Sequence, residues 1–267
     1  MNAPHSEPLV LAARDGGVLR LILNRPGARN ALSESLMVAL QDRLDEAAQD
    51  GKTRVIVLAA SGTAFCAGHD LKEMTAHRSS SDLGRTAFEK LFAQCTQVMQ
   101  SIVRHPKPVI AEVHGIATAA GCQLVASCDL AVASREARFA TPGVNIGLFC
   151  STPMVALSRN VPRKQAMEML LTGEMIDAQE AQRIGLVNRV VAADALETET
   201  MKLAHLIAGK PRRTVKTGKE AFYRQLEMPL ADAYDYASRV MTENMLAAEA
   251  EEGIGAFVEK RPPAWPE

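Results

Sequence analysis

The chain has 267 residues, of which 47% are apolar and 23% charged, and its formal net charge is −1. This length and apolar content allow a sizeable core in one large domain, which excludes a disordered chain. The near-zero charge argues against nucleic-acid binding, which needs a basic surface. No apolar stretch reaches about 18 residues without a polar interruption, so no membrane span is expected.

The five cysteines form no CxxC pair, and the six histidines occur singly, without the spacing of metal ligands. This usage predicts a reduced, intracellular protein with neither a zinc cluster nor a disulfide framework. Residues 1–8 lack a basic segment followed by an apolar run, so no secretory signal is predicted. We therefore expect a cytoplasmic protein that contains no metal.

The first part of the chain predicts strands that alternate with amphipathic helices. An Asp-Gly-Gly turn at residues 15–17 precedes a strand over Val18–Leu23, and Ser33 is the predicted N-cap of the first helix. The apolar face of that helix comprises Leu36, Met37, Leu40, Leu44 and Ala47. The apolar run Val55–Ala60 predicts a strand covered on both faces, followed by a loop over residues 61–70.

Further along, a second amphipathic helix is predicted, and it ends before Pro106 and Pro108. Its apolar stripe comprises Phe88, Leu91, Phe92, Cys95, Val98, Met99 and Ile102. A strand over Val109–Val113, a turn, a helix near residues 121–127 and a strand over 130–133 follow. This alternation predicts an α/β fold.

After Thr141 the strand signal is limited to residues 187–191, and residues 196–258 are predicted to be almost entirely helical. We therefore predict an α/β core over residues 1–195 and a helical region over residues 196–267. The apolar faces of such a region need a partner, and another subunit is a natural candidate.

Two segments of small residues stand where a predicted strand ends and a helix begins: AFCAGHDLK at residues 64–72 and HGIATAAGCQ at residues 114–123. Small residues allow a ligand to approach the backbone closely, and a helix N-terminus leaves free N–H donors. Two such segments side by side could direct two N–H groups at one oxygen, as in an oxyanion hole. Close packing of helix on sheet explains the same small residues equally well.

Several motifs in order resemble the crotonase (enoyl-CoA hydratase/isomerase) superfamily. They are LNRP at residues 23–26, NAL at 30–32, AFCAGHDLKEM at 64–74, KPVIA at 107–111, AAGCQLVASCDLAVA at 119–133, LTG at 171–173, the stretch 178–191 and EGIGAFVEKR at 252–261. Each motif is weak alone, but their order and spacing cover residues 18–261. The stretch 139–153 narrows the resemblance to a branch that lacks both catalytic glutamates of the family.

The resemblance implies a spiral of repeated β-β-α units with a helical C-terminal trimerisation region, assembled as a homotrimer or a dimer of trimers. It also implies an acyl-CoA thioester ligand, with coenzyme A as part of the substrate and no tightly bound cofactor. The two oxyanion donors of the family correspond to the backbone N–H groups of His69 and Ala120. One such donor is worth about 3–4 kcal/mol in the transition state.

The resemblance also assigns the contacts of coenzyme A. Arg29 corresponds to a basic residue near the nucleotide phosphates, and Phe257 and Lys260 to positions on the C-terminal helix that reach CoA, often across a subunit boundary. Solvated surface charge is the alternative for Arg29 and Lys260. The remaining residues expected to line the CoA-thioester site are Ala67, Asp70, Leu71, Lys72, Ile116 and Ala119.

Both glutamates that the family's hydratases use for proton transfer are replaced. The first position is Gln123, and the second, after the proline of the next motif, is Gly143. An amide can orient water but cannot exchange a proton near neutral pH, and each lost acid or base typically costs about 10²–10⁴ in rate. We therefore expect hydratase activity to be weak or absent, and double-bond isomerisation is also disfavoured by Gly143.

No convincing substitute proton carrier is evident. The residues considered are His69, His77, Asn145, Cys122, Cys150, Ser151 and Thr152. Two functions remain open: an enzyme on acyl-CoA thioesters with weak or altered activity, such as thioester hydrolysis, and a non-catalytic acyl-CoA-binding protein. A pure interaction role without CoA is a third reading.

Overall fold

The computed structural model describes residues 7–266, which form ten strands and eleven α-helices. The strands are Val10–Asp15 (β1), Val18–Leu23 (β2), Val55–Ala60 (β3), Ala64–Cys66 (β4), Val109–Val113 (β5), Ile116–Thr118 (β6), Leu130–Ser134 (β7), Arg138–Ala140 (β8), Ile176–Asp177 (β9) and Arg189–Val191 (β10). The helices are Glu34–Gln49 (α1), Leu71–Ala76 (α2), Arg85–Val103 (α3), Ala120–Ser127 (α4), Pro153–Asn160 (α5), Arg163–Thr172 (α6), Ala178–Arg183 (α7), Leu196–Ala208 (α8), Arg212–Gln225 (α9), Leu230–Met245 (α10) and Ala248–Val258 (α11).

The strands form two sheets. The larger has the order β1-β2-β3-β5-β7-β10 and is parallel except for β1, which pairs with β2 as an antiparallel hairpin. The smaller has the order β4-β6-β8-β9, with only β9 antiparallel. The pairs β3-β4, β5-β6 and β7-β8 each place their first strand in the larger sheet and their second in the smaller. This repetition is the predicted spiral of β-β-α units.

The run Val55–Ala60 shows why the larger sheet is buried on both faces. Ile56 and Leu58 belong to the main apolar core, which also contains the buried face of α1. The alternate residues Val55 and Val57 pack in a second core beneath α8. Because side chains alternate across a strand, a strand covered by helices on both sides needs a continuous apolar sequence.

The first helix forms as predicted, whereas the predicted loop over residues 61–70 is partly wrong. The Ser33 side chain accepts a hydrogen bond from the Leu36 N–H, and the five predicted apolar positions of α1 are buried. Within the predicted loop, residues 64–66 form β4 and pair with β6. In the stripe of α3, Phe92 is 37% exposed.

The C-terminal helix α9 is joined to the core by a buried ion pair. Lys219 of α9 lies 2.7 Å from Asp129, and both side chains are largely buried. Lys219 also donates to two main-chain carbonyls, and Tyr223 donates to the same aspartate. Within residues 7–266 no helix is long and apolar enough to cross a membrane.

Candidate active site

The two small-residue segments lie directly against each other. Gly68 ends the turn after β4 with φ +91°, and a Cβ placed on it would lie 2.9 Å from Ala119 Cβ and 3.4 Å from Ala120 N. Gly121 packs on β4 just as closely, since its Cβ would lie 2.1 Å from the Cys66 carbonyl oxygen. The glycines therefore permit an approach of the two segments that any side chain would prevent.

Two main-chain N–H groups without an acceptor in residues 7–266 flank this contact. His69 follows Gly68, and Ala120 is the first residue of the eight-residue helix α4. Neither N–H donates to an acceptor within the described part of the chain, whereas the neighbouring Ala119 N–H donates to the Ala140 carbonyl at 2.9 Å. The helix dipole adds partial positive charge at Ala120. The arrangement favours a negatively charged or polarised oxygen.

Ala119, which precedes α4, has a strained backbone. Its φ of 51° and ψ of −118° are values that L-residues rarely adopt and glycine adopts readily. Such a conformation costs about 1–3 kcal/mol and persists only where the surroundings determine it. The strain lies beside one of the two predicted donors.

Several buried polar atoms around this contact have no hydrogen-bond partner within residues 7–266. They are both ring nitrogens of His69, Oε1 of Gln123 and Oγ1 of Thr141. Buried polar groups are normally paired, so a group of unpaired atoms indicates a place for a polar ligand. Sequence reasoning missed Thr141, because its position beside the second segment depends on the pairing of β6 with β8.

The His69 ring is enclosed and contacts Phe92 edge to face, with 5.7 Å between ring centroids. Burial lowers the pKa of His69, and the nearby Leu32 carbonyl opposes this shift. The ring is therefore neutral at neutral pH. A neutral, unpaired imidazole has the protonation state that a general base requires.

Gly143, at the position of the second family glutamate, is buried in a short 3-10 helix over Pro142–Ile146. Its Cβ would lie 2.8 Å from the Leu148 carbonyl oxygen and 2.9 Å from Cys150 Sγ. The Gly143 N–H faces the same sulfur, at 3.3 Å. The space that a side chain at position 143 needs is thus occupied by the segment that follows it.

The other substitutes considered for proton transfer or nucleophilic attack are poorly placed for it. Burial raises the pKa of Cys122 to about 12, and burial also raises the pKa of Cys150 despite the Gly143 N–H. Both thiols are protonated at neutral pH and are weak nucleophiles. Ser151 donates to the Phe149 carbonyl, and His77 lies 3.5 Å from Glu34.

Of the residues predicted to bind CoA, the structure brings Arg29 and Ala67 together. The Ala67 N–H donates to the Arg29 carbonyl at 3.1 Å, and the Arg29 side chain is exposed. Asp70 caps α2 by accepting from two main-chain N–H groups and pairs with Arg25 at 2.7 Å. Its carboxylate therefore organises the segment, while the neighbouring Lys72 is exposed.

The remaining predicted CoA contacts fall into two groups. Leu71 is 50% exposed at the start of α2, and Ile116 begins β6 beside the first segment. Phe257 and Lys260 lie in and just after α11, which packs against α10. Phe257 is 84% exposed, so this single chain does not bury it against the two segments. No group of three or more potential metal ligands occurs in residues 7–266.

Comparison with known proteins identifies the family to which this chain belongs. A model of the enoyl-CoA hydratase/isomerase family matches residues 13–267, and the chain belongs to that family. It is 48% identical over 98% of its length to the enoyl-CoA hydratase domain-containing protein 3, mitochondrial, of Rattus norvegicus, covering 86% of that protein. The family resemblance inferred from the sequence is confirmed.

Solved structures of similar proteins share the fold of this chain. An enoyl-CoA hydratase of Mycobacterium smegmatis superposes with a TM-score of 0.93 at 58% identity, with 97% of this chain and 99% of that chain covered. The human enoyl coenzyme A hydratase domain-containing protein 3 superposes with a TM-score of 0.91 at 47% identity, covering 96% and 100%. The predicted crotonase-like fold is thereby confirmed.

Proposed function

We propose that the protein binds acyl-CoA thioesters and polarises the thioester carbonyl, with little or no hydratase activity. The observation that carries this proposal is the pair of unpaired N–H groups of His69 and Ala120 at a contact where positions 123 and 143 hold no carboxylate. Main-chain donors depend on backbone position rather than side-chain identity, so they serve as an oxyanion hole without the glutamates.

In this proposal, acyl-CoA binding does not require the proton-transfer groups that hydration requires. Gln123 can orient a water molecule by hydrogen bonds, but an amide neither takes nor gives a proton near neutral pH. Loss of both carboxylates should slow hydration by about 10⁴-fold or more. The ligand-binding residues do not depend on them.

The direct test measures crotonyl-CoA binding by calorimetry and its hydration by the loss of absorbance of the conjugated thioester. We expect saturable binding with hydration about 10⁴-fold slower than in a family member that has both glutamates. Rapid hydration by the wild type would refute the inactive assignment. Absence of binding would refute the acyl-CoA assignment.

A gain-of-function variant tests the placement of the missing acids. Gln123→Glu with Gly143→Glu places both carboxylates, but a side chain at position 143 meets the Leu148 carbonyl oxygen as well as the Cys150 sulfur. We therefore combine them with Cys150→Ala, which removes the sulfur and gives residues 148–150 room to move, and Cys150→Ala alone is the control. Hydration should appear in the triple variant only. A folded triple variant that binds crotonyl-CoA without hydrating it would show that positions 123 and 143 are not placed for catalysis.

Thioester hydrolysis is the alternative activity, and His69 is the residue that favours it. Its ring is neutral and unpaired, as a base that activates water requires, whereas the thiols are protonated. Release of free CoA from acyl-CoA by the wild type, lost in His69→Gln with binding unchanged, would support hydrolysis. Equal background release by both proteins supports a binding role alone.

We also infer that the chain assembles as a homotrimer or a dimer of trimers through α9–α11. Large apolar side chains are exposed on these helices and, for Leu226, just after α9: Phe222, Leu226, Leu230, Tyr234, Met241, Met245, Ile254, Phe257 and Val258. Surfaces of this kind mark interfaces. Light scattering should give a mass of three or six chains of 28.8 kDa. Assembly would also bring Phe257 and Lys260 of one protomer towards the CoA site of its neighbour. We propose a cytoplasmic location for the assembly.

A further inference from the structure

A cavity of about 400 Å³ lies at the opposite end of the larger sheet from the candidate active site. It is lined by residues just before β3 and β5, by the ends of α1 and α3, and by the start of α9. The site segments follow the other ends of β3 and β5. At about 3.3 Å per residue, the six residues of β3 separate the two places by about 20 Å.

The cavity concentrates positive charge. Six cations line it: Arg54, Arg104, Lys107, Lys210, Arg212 and Lys216. Glu220 is the carboxylate in the lining, and it already lies 3.8 Å from Lys216. Five positive charges therefore remain without a partner in the lining, in a chain whose net charge is −1.

The deepest cations are held in place by main-chain carbonyls rather than by carboxylates. Lys107, 4% exposed, donates to the carbonyls of Ala47, Ala48 and Asp50 at the C-terminus of α1, the last at 2.7 Å. Arg54 donates to the Lys210 carbonyl at 2.6 Å. Each guanidinium has five N–H donors, so most donors of Arg54 remain available to a ligand.

Asp50, whose carbonyl accepts from Lys107, has a carboxylate that is already engaged. It pairs with Arg14 at 2.5 Å and accepts from the Thr53 hydroxyl and the Lys52 N–H. Around Arg104 and Lys210, within residues 7–266, no carboxylate lies within ion-pair distance. The lining thus lacks a free anion of its own.

Burial, with a smaller contribution from neighbouring cations, lowers the pKa of the two innermost cations. Burial lowers the pKa of Lys107 to about 8, with Arg212 and Arg14 adding to the shift and Asp50 opposing it. Burial and Arg212 also lower the pKa of Arg54. A bound anion would relieve both effects, because an opposite charge favours the charged form of each group.

We propose that this cavity is a binding site for a small phosphorylated polyanion, separate from the acyl-CoA thioester site. Arginine forks match phosphate oxygens bidentately, and three arginines and two exposed lysines surround one cavity here. Its volume lies in the range of small-molecule sites. Within residues 7–266 the lining contains no aromatic side chain on which a base could stack, so a phosphate-bearing metabolite fits better than a single-stranded nucleic acid.

The test titrates pyrophosphate into the full-length protein by calorimetry at physiological ionic strength. The variant is R104Q with K210Q, which removes two exposed charges without a side-chain partner. The matched control is R163Q with K164Q, which removes two exposed charges from α6. We expect wild type and control to bind pyrophosphate equally, and the cavity variant to bind at least tenfold more weakly. No binding to wild type, or equal weakening in both variants, would overturn the proposal.

Two competitors establish what the cavity recognises. Citrate, a tricarboxylate of comparable charge, should compete at least tenfold less well than pyrophosphate. Equal competition would overturn the phosphate assignment. Butyryl-pantetheine, which carries the thioester without any phosphate, should leave the pyrophosphate affinity unchanged, since the thioester site lies at the other end of the sheet. Displacement of pyrophosphate by butyryl-pantetheine would show one shared site and refute a separate one. Neither outcome depends on hydratase activity.

Discussion

Gly68→Ala is expected to separate the two segments that form the candidate active site. The new Cβ would lie 2.9 Å from Ala119 Cβ, 3.1 Å from the Thr118 carbonyl oxygen and 3.4 Å from Ala120 N. The first two distances are too short for ordinary contacts, and Thr118 belongs to β6, which is fixed by pairing with β8. The Gly68–His69 turn must therefore move, and with it the His69 N–H.

The loss of stability expected for Gly68→Ala has two contributions. An L-residue with positive φ costs about 1–2 kcal/mol relative to glycine. Overpacking a tight contact costs about 1–3 kcal/mol more. The free energy of unfolding should fall by about 2–5 kcal/mol. Loss of one oxyanion donor corresponds to about 3–4 kcal/mol of transition-state stabilisation.

Two assays separate these contributions. Urea unfolding measures stability, and isotope-edited infrared spectroscopy of a bound acyl-CoA measures how far the thioester carbonyl is polarised. The control is Gly16→Ala, also at positive φ (53°) but with nothing within 4 Å of its Cβ. Wild type and control should lower the carbonyl frequency equally, and Gly68→Ala should not. A full carbonyl shift in Gly68→Ala, with a stability loss equal to the control's, would refute the reasoning.

Three further predictions concern stability measured by urea unfolding. Ala119→Gly should stabilise the protein by about 1 kcal/mol because it relieves backbone strain. The control Ala126→Gly, inside α4, should destabilise it by at least about 0.5 kcal/mol. Destabilisation by both substitutions would contradict the claim that the Ala119 backbone is strained. Lys219→Met leaves a buried carboxylate unpaired and should cost about 3–5 kcal/mol, while the exposed Lys216→Met should stay within about 0.5 kcal/mol. Burial lowers the pKa of His105 below its usual 6.5, so the unfolded chain binds more protons and stability should fall as pH drops through 6.5. His105→Gln should weaken that pH dependence, and an unchanged slope would show that this histidine does not cause it.

The long elements could be predicted from the sequence because their burial repeats along the chain. The strands Val18–Leu23 and Val55–Ala60 occur with the predicted bounds. By contrast, β4, β6 and β9 have two or three residues each, too few for an alternating pattern to appear. These strands belong to the smaller sheet. The hairpin partner β1 was missed for another reason, since four of its six residues are exposed.

The site could be predicted only in part, because some of its contacts join residues that are distant in sequence. The helix start at Ala120 follows from local small residues, and the structure has it there. The obstruction at Gly143 depends on Cys150, seven residues later, whose position is determined by the turn between them. The basic cavity draws its cations from three separate segments, at residue 54, residues 104–107 and residues 210–216. No local pattern records such groupings, because they arise from the order of the strands.

The crowding around Gly143 has a consequence for the design of an acid at this position. A side chain there meets both the Leu148 carbonyl oxygen and the Cys150 sulfur, so removal of the sulfur relieves only one of the two contacts. The main-chain contact is relieved only if residues 148–150 shift as well. Substitutions at positions 143 and 150 should therefore be strongly non-additive, because the two positions share one contact.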